Sequence, residues 1–467
     1  MDDTLDPTPA DHQLVASGLA ARLERLPRTT RSHRGWIVLL GALFICDLMD
    51  TNGLAYVAPA IRADWGLTVA QIGQLTSYSF LGMFAGGIVF GRLSDRLGRK
   101  NILIWGTVVY SAASLVSALS PNLAVLGVLR ILTGFGIQAV TGVLIVYVAE
   151  MYPGASRGKC QALMLAIGLL GIPLVAGASR LIVPHSPSAW RWVFVFGAIG
   201  LIPAVLAKFV LPESVRWAAV NGRLDDARAT VERLESQLSH PLPEVVETRA
   251  IYEHRKPSDL FAVGMRKRTI VVTVTLIFAV MGVFGFNGWV PTLLVEKGYS
   301  TAEALSITTI FSIGPPLGAL FAMVLSDRFQ RRTTILLVNT LCAAMMLVFA
   351  ATGSYWTLVV SGFLATTLLQ TNNAVLYAYL PEVFPTVLRG LGSGFANGFS
   401  RIAGFANAFL IAAIAASLGF GGVFAATAVF IFLAGLTVGL FGERTKGRSL
   451  EEIGETVGGN NVASSAR

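Results

Sequence analysis

The sequence predicts an all-α membrane protein of twelve transmembrane helices arranged as two six-helix repeats. Three observations predict it. The 467 residues are 54% hydrophobic and only 13% charged, whereas a soluble domain carries roughly 25% charged residues. Apolar stretches of the ~20 residues that one bilayer crossing requires occur twelve times, six on each side of a polar stretch. Two different loop motifs then recur at one common spacing.

Taken in order, residues 1–34 are polar, acidic at Asp2 and Asp3 and basic at Arg22, Arg25, Arg28, Arg31 and Arg34; they lack the pattern of a secretory signal and read as a cytoplasmic N-terminal tail. The first six spans are expected at 36–61, 69–90, 102–119, 123–149, 160–183 and 190–211, which makes 35–211 the first half. Residues 212–268 read as a cytoplasmic linker, opening on "LPESVRW" and containing "NGRLDDARATVERLESQL", whose apolar residues fall on one helical face. The second half, 269–442, is expected to hold spans at 269–295, 301–326, 333–351, 356–380, 390–417 and 420–442, followed by a cytoplasmic C-terminal tail at 443–467.

Basic residues orient these spans. Of 36 lysines and arginines, only Arg62, Arg191 and Lys297 fall in the odd-numbered loops, and Arg130, Arg180, Lys208 and Arg401 fall inside spans. The positive-inside rule then places both termini in the cytoplasm. The net charge of +9 belongs to that inner face, against anionic lipid headgroups, so no nucleic-acid partner is needed to explain it. Cys46, Cys160 and Cys342 are far apart and suggest neither a disulfide framework nor a metal site.

The repeat is carried by the loops. "AEMYPGASRG" (Ala149 to Gly158) returns as "PEVFPTVLRG" (Pro381 to Gly390), and "GRLSDRLGRK" (Gly91 to Lys100) returns as "LSDRFQRR" (Leu325 to Arg332). Gly158 and Gly390, like Asp95 and Asp327, lie 232 positions apart. These motifs resemble those of the major facilitator superfamily, in which two six-helix halves enclose a midplane site; the likeness runs from Trp36 to Gly442. It implies a cytoplasmic gate of Gly91, Asp95, Arg96, Gly98, Arg99, Glu150, Arg157, Asp327, Glu382 and Arg389. Gly91 and Gly98 permit a tight turn, and Asp95 can accept charge-assisted hydrogen bonds that lock the halves. The alternative is that these charges only fix topology.

Residues that break the repeat are the better candidates for chemistry. Asp47 and Asp50, in "ICDLMDTNGLA", are three apart and therefore share a helix face; their counterparts 232 positions on are Ala279 and Gly282. Intramembrane carboxylates cost about 2.5–3.5 kcal/mol each on insertion scales and belong in a water-filled cavity, so the pair is expected there as the proton-coupling device. The alternative is a permanent pairing of one aspartate with an arginine such as Arg130. Arg130 and Arg401 are equally asymmetric, and Arg401, near the middle of "GFANGFSRIAGFANAF", is the expected anchor for a carboxylate. Arg130 followed by "ILTGFG" resembles the fourth-helix pattern of proton-driven members; otherwise it pairs with helix carbonyls or an aspartate. Arg180 lies near a helix end and can snorkel. Gln370, Asn373, Tyr377 and Trp289 complete the expected substrate site, with interhelical hydrogen bonding as their plainer role.

"DLMD" followed by "APAIRADWGLT" resembles the aromatic acid:proton symporter family, although that family has glycine and an aromatic where Leu48 and Met49 stand. The resemblance implies proton-coupled symport of a small organic, aromatic carboxylate by alternating access, in a monomer of the bacterial inner (plasma) membrane. The open alternatives are a porter of sugars or other metabolites and a proton-driven exporter of drugs or pathway products. No catalytic set, metal cluster or phosphate loop appears in the sequence, so neither an enzyme nor a cofactor is expected.

Overall fold

A computed structural model describes residues 18–238, 256–262, 264–385 and 388–443, apart from the side chains of residues 326 and 327. The first half comprises α1 (Arg31–Trp65), α2 (Val69–Leu97), α3 (Arg99–Ser117), α4 (Leu123–Met151), α5 (Gly154–Leu169) with α6 (Gly171–Ile182), and α7 (Trp190–Gly197) with α8 (Leu201–Val210). Two short helices follow, α9 (Val215–Val220) and α10 (Leu224–Glu235). The second half comprises α11 (Arg266–Asn287) with α12 (Val290–Glu296), α13 (Thr301–Ser312) with α14 (Gly314–Arg328), α15 (Arg331–Ala351), α16 (Tyr355–Val383) and α17 (Arg389–Phe441).

Eight of the described helical stretches are long and apolar enough to cross a membrane. The twelve-helix architecture is reached because α2, α3 and α16 also traverse the bundle, and because α17 is two spans. The helices α2, α3 and α16 are richer in hydroxyl and amide groups, which lowers their hydropathy. Gly419, at φ 60° and ψ −156°, breaks α17 between its eleventh- and twelfth-span parts, in a left-handed backbone that glycine adopts without penalty.

Four expected spans are interrupted, each just before a proline. Pro173, Pro203, Pro291 and the pair Pro315–Pro316 follow the breaks at Leu170, 198–200, Gly288–Trp289 and Ile313. Proline lacks an N–H and collides with the carbonyl four residues back, so the hydrogen-bond ladder cannot run through. At the first break the gap is also filled: a side chain on Gly171 would strike the Ile45 carbonyl of α1.

Close helix packing uses glycine in the same way. Gly82 and Gly86, one turn apart on α2, lie against the Ile131 and Phe135 carbonyls of α4, the small-xxx-small approach of membrane helices. The turn from α2 to α3 is made by Gly98 alone, at φ 94°. Gly91, expected to share in that turn, lies inside α2 instead, because the helix runs on without a break to Leu97.

The linker helix α10 buries Ala227, Val231 and Leu234 in one cluster with Leu19, Leu23 and Leu26 ahead of α1 and with Val215 and Trp217 of α9. Glu235 receives Arg22 at 2.6 Å and Arg25 at 2.8 Å, and Glu24 pairs with Arg157 and with Arg216. The segment before the first span is thus fastened to the first half.

Candidate functional site

Asp47 and Asp50 are 1% and 5% exposed, yet they meet different neighbours. Asp50 accepts a hydrogen bond from Ser114 Oγ of α3 at 2.5 Å and stands 3.9 Å from Arg130 Nη1 of α4. Arg130, 1% exposed, donates to Ser117 Oγ at 2.7 Å and lies with its guanidinium carbon 4.6 Å from the ring centroid of Phe194 on α7. Gly197, also on α7, leaves the room for this cluster, since a Cβ there would lie 3.0 Å from Asp50 Oδ1. All these groups belong to the first half. The expectation that both aspartates look into the cavity between the halves therefore fails for Asp50, and Arg130 is enclosed rather than presented to a substrate.

Asp47 sits differently. It accepts from Thr141 Oγ1 of α4 at 2.6 Å and from Thr51 Oγ1 at 3.3 Å; the charge of Arg401 in the second half acts on it weakly and without an ion pair between them. Arg401 is half-buried, and its Nε is shielded with no hydrogen-bond partner among the described residues. One turn before it, Asn397 Oδ1 accepts from Tyr377 Oη at 3.2 Å, so a face of α17 is tied to α16. On α16, Gln370, Asn373 and Tyr377 recur at spacings of three and four and share a face; the first two are half-buried and Tyr377 is 45% exposed. Trp289 is 2% exposed, inside the apolar core cluster that also holds Phe286 and Phe349, and its ring packs at the seam with Gly73 of α2.

The basic loops are organised by an arginine–glutamate pair in each half. Arg99 Nε lies 2.9 Å from Glu150, and Arg331 Nη2 lies 2.8 Å from Glu382; both partners are offset by 232 positions. Glu150 also accepts from Ser214 Oγ at 2.5 Å. Glu213 accepts the Arg99 and Lys100 backbone N–H groups at 2.8 and 3.0 Å, which caps the start of α3 with a negative charge. The Asp95 carboxylate, 71% exposed, pairs with Arg99 at 3.1 Å, its carbonyl accepts from Trp217 Nε1 at 2.8 Å, and Arg96 is exposed. Arg157 bonds to Glu24 and the Tyr152 carbonyl, and Arg389 to the Pro381 carbonyl at 2.9 Å. The side chain of Asp327 lies outside the described residues. Among the described residues each of these contacts stays within one half.

The halves meet at the other end of the bundle. Arg62 of α1 pairs with Glu296 of α12 at 2.8 Å, and Arg180 of α6 donates to Ser306 of α13 at 2.5 Å; the snorkelling expected of Arg180 is replaced by this cross-half bond. Ser77 Oγ donates to the Phe405 carbonyl at 3.1 Å. Deeper, Phe80 of α2 packs edge-on against Phe284 of α11 with centroids 4.7 Å apart, and against Gly404. These contacts join the halves from Arg62 inward to Phe80, while the described charge contacts at the basic end stay within their own halves.

The chain as a whole matches a known family. The family model for sugar (and other) transporters covers residues 34–456. The chain belongs to that family. It is therefore a member of the major facilitator superfamily and a membrane-spanning transporter rather than an enzyme. The Bacillus subtilis protein YyaJ is 36% identical to it over 426 residues, 90% of this chain and 92% of YyaJ. The niacin transporter NiaP of Acinetobacter baylyi is 28% identical over 441 residues (93% and 99%), and the gallate transporter of Pseudomonas putida 28% over 394 residues (83% and 86%). Among solved structures, the inward-open xylose transporter XylE from E. coli shares the fold over 91% of this chain and all of its own, with a TM-score of 0.72 at 17% identity.

In this transporter, sequence reasoning missed the hydroxyl partners Ser114, Ser117 and Thr141, the aromatic face of Phe194, and Arg331 as the mate of Glu382. Arg331 carried a signal: it lies 232 positions after Arg99, as Glu382 lies 232 after Glu150. The hydroxyls carried none, because serine and threonine in an apolar helix usually bond their own backbone.

Proposed function

We propose that this transporter takes up a small aromatic carboxylate together with a proton, by alternating access of its two halves, residues 35–211 and 269–442. The observation that carries the reading is the buried Asp47 carboxylate within range of the Arg401 charge of the second half, with Asp50 and Arg130 paired inside the first half. Relatives named for niacin and gallate support an aromatic acid as the substrate class. The basic end is the cytoplasmic side of an inner membrane, both termini lie there, and the state described is inward-facing.

With Asp47 ionised, its carboxylate competes with the substrate for Arg401. A proton on Asp47 frees the guanidinium, whose planar fork suits a carboxylate, while Gln370, Asn373 and Tyr377 offer amide and hydroxyl groups to the ring substituents. The loaded site then carries no net charge, and enclosing a neutral cavity costs far less than enclosing an uncompensated ion. Substrate and proton thus close the site only together. Arg130 and Asp50 act behind it by holding the polar interior of the first half.

The test is uptake of nicotinate, gallate, benzoate and xylose into proteoliposomes under an inward proton gradient. The reading expects gradient-dependent accumulation of an aromatic acid, lost in Asp47→Asn and in Arg401→Gln, with Asp47→Asn still binding the acid. Accumulation of xylose alone, or undiminished uphill uptake by Asp47→Asn, overturns it.

A further inference from the structure

At the basic end, α11 and the end of α17 frame a cavity of ≈ 750 Å³ that opens sideways from the bundle and lies outside the transport site. Its wall is apolar, built from Ile270, Val274 and Phe441, and its rim carries Arg266 and Lys267. Ile270 is 45% and Phe441 55% exposed, so this wall faces away from the protein core. Arg266 and Lys267 are exposed and form no ion pair among the described residues, whereas the next residue, Arg268, turns inward to Glu443 at 3.7 Å. The cations also sit in the first turn of α11, where the positive end of the helix dipole favours an anion.

The geometry points to a bound anionic phospholipid, its phosphate held by Arg266, Lys267 and the start of α11 and its acyl chains laid along Ile270, Val274 and Phe441. The spacing fits. Ile270 and Val274 lie four and eight residues beyond Arg266, about 6 and 12 Å deeper at 1.5 Å per residue, which is where acyl carbons begin below a headgroup. A free anion would use the two cations and leave the apolar wall uncovered. A zwitterionic lipid would cover the wall but bring a positive group towards the cations. Only a lipid of net negative charge satisfies both, and basic pockets between helices on the cytoplasmic side are suited to such headgroups.

Native mass spectrometry of the full-length chain in detergent tests this, by titration with phosphatidylglycerol and with phosphatidylcholine of the same acyl chains. Phosphatidylglycerol should be retained preferentially, glycerol phosphate alone should not displace it, and R266Q/K267Q should weaken it about thirty-fold. The control R228Q/R233Q, which removes as many exposed charges from α10, should leave retention unchanged. A tryptophan introduced as Ile270→Trp should be quenched by phosphatidylglycerol with brominated chains, and less so in the R266Q/K267Q background. Equal retention of the two lipids, displacement by the headgroup alone, equal loss in the control, or no quenching at position 270 because the chain beyond Glu443 fills the groove, each overturns the assignment.

Discussion

Replacing Arg130 by glutamine is the sharpest probe of the buried charges. Arg130 and Asp50 are 3.9 Å apart and both nearly inaccessible. At an effective dielectric of about 20, two unit charges at about 4 Å attract by about 4 kcal/mol, and breaking a buried pair from one side costs about 3–5 kcal/mol because the remaining charge stays unpaired. In Arg130→Gln the Asp50 carboxylate keeps only Ser114, since its Oδ2 already lacks a hydrogen bond. The variant should lose about that much stability, read as the temperature at which purified protein stops eluting as a monodisperse species. Asp50→Asn/Arg130→Gln leaves two neutral side chains and should recover at least half of the loss, since removing both charges is often neutral. Neither variant should accumulate substrate uphill. Wild-type stability in Arg130→Gln, or a double variant no more stable than the single, would refute the pairing.

Three further outcomes follow from the same geometry. Glu296→Gln removes a half-exposed cross-half ion pair worth about 0.2–1 kcal/mol; labelling of a Ser77→Cys probe by an impermeant thiol reagent should quicken about two- to five-fold, and unchanged labelling would show that the pair does not hold that end shut. Gly86→Val must push α4 away at the Phe135 carbonyl and should prevent folding, whereas Gly87→Ala meets only Gln138 Cγ at 3.5 Å and should be tolerated; expression and monodispersity read both. Burial raises the Glu235 carboxyl, but hydrogen bonds and charge from Arg22 and Arg25 outweigh it and hold the group below its ordinary range. Its contribution is therefore complete above the unfolded value near 4.3 and lost as pH falls through the lower folded value. Glu235→Gln should raise hydrogen exchange in residues 18–30 about two- to five-fold at pH 7, with the difference from wild type vanishing in acid; equal exchange at pH 7 would remove Glu235 from the docking of that segment.

How far the site could be read from the chain differs from residue to residue. Asp47, Asp50, Arg130 and Arg401 stand out because an ionised group in an apolar run is costly enough to require a reason. Their partners do not stand out: Thr141 and Ser114 look like any hydroxyl in a membrane helix until α4 and α3 are packed against α1. Spacing by three put both aspartates on one face, but a helix face about 100° wide can border two environments. In this bundle it borders the seam at Asp47 and the interior of the first half at Asp50. The gate illustrates the converse. Repeat arithmetic ties Glu150 to Glu382, and the structure adds that each meets an arginine of its own half.

The sequence by itself determined the twelve spans, the two repeats and the identity of the rare intramembrane charges, because hydropathy, loop motifs and the cost of buried charge act locally or at a fixed offset along the chain. Tertiary structure decided which charge meets which. Asp50 finds Arg130 80 positions away, Asp47 comes within range of the Arg401 charge of the other half, and Arg62 finds Glu296. Those pairings depend on how helices distant in sequence are rotated and seated, which side-chain volume and glycine contacts such as Gly86 on Phe135 settle only once the whole bundle is packed.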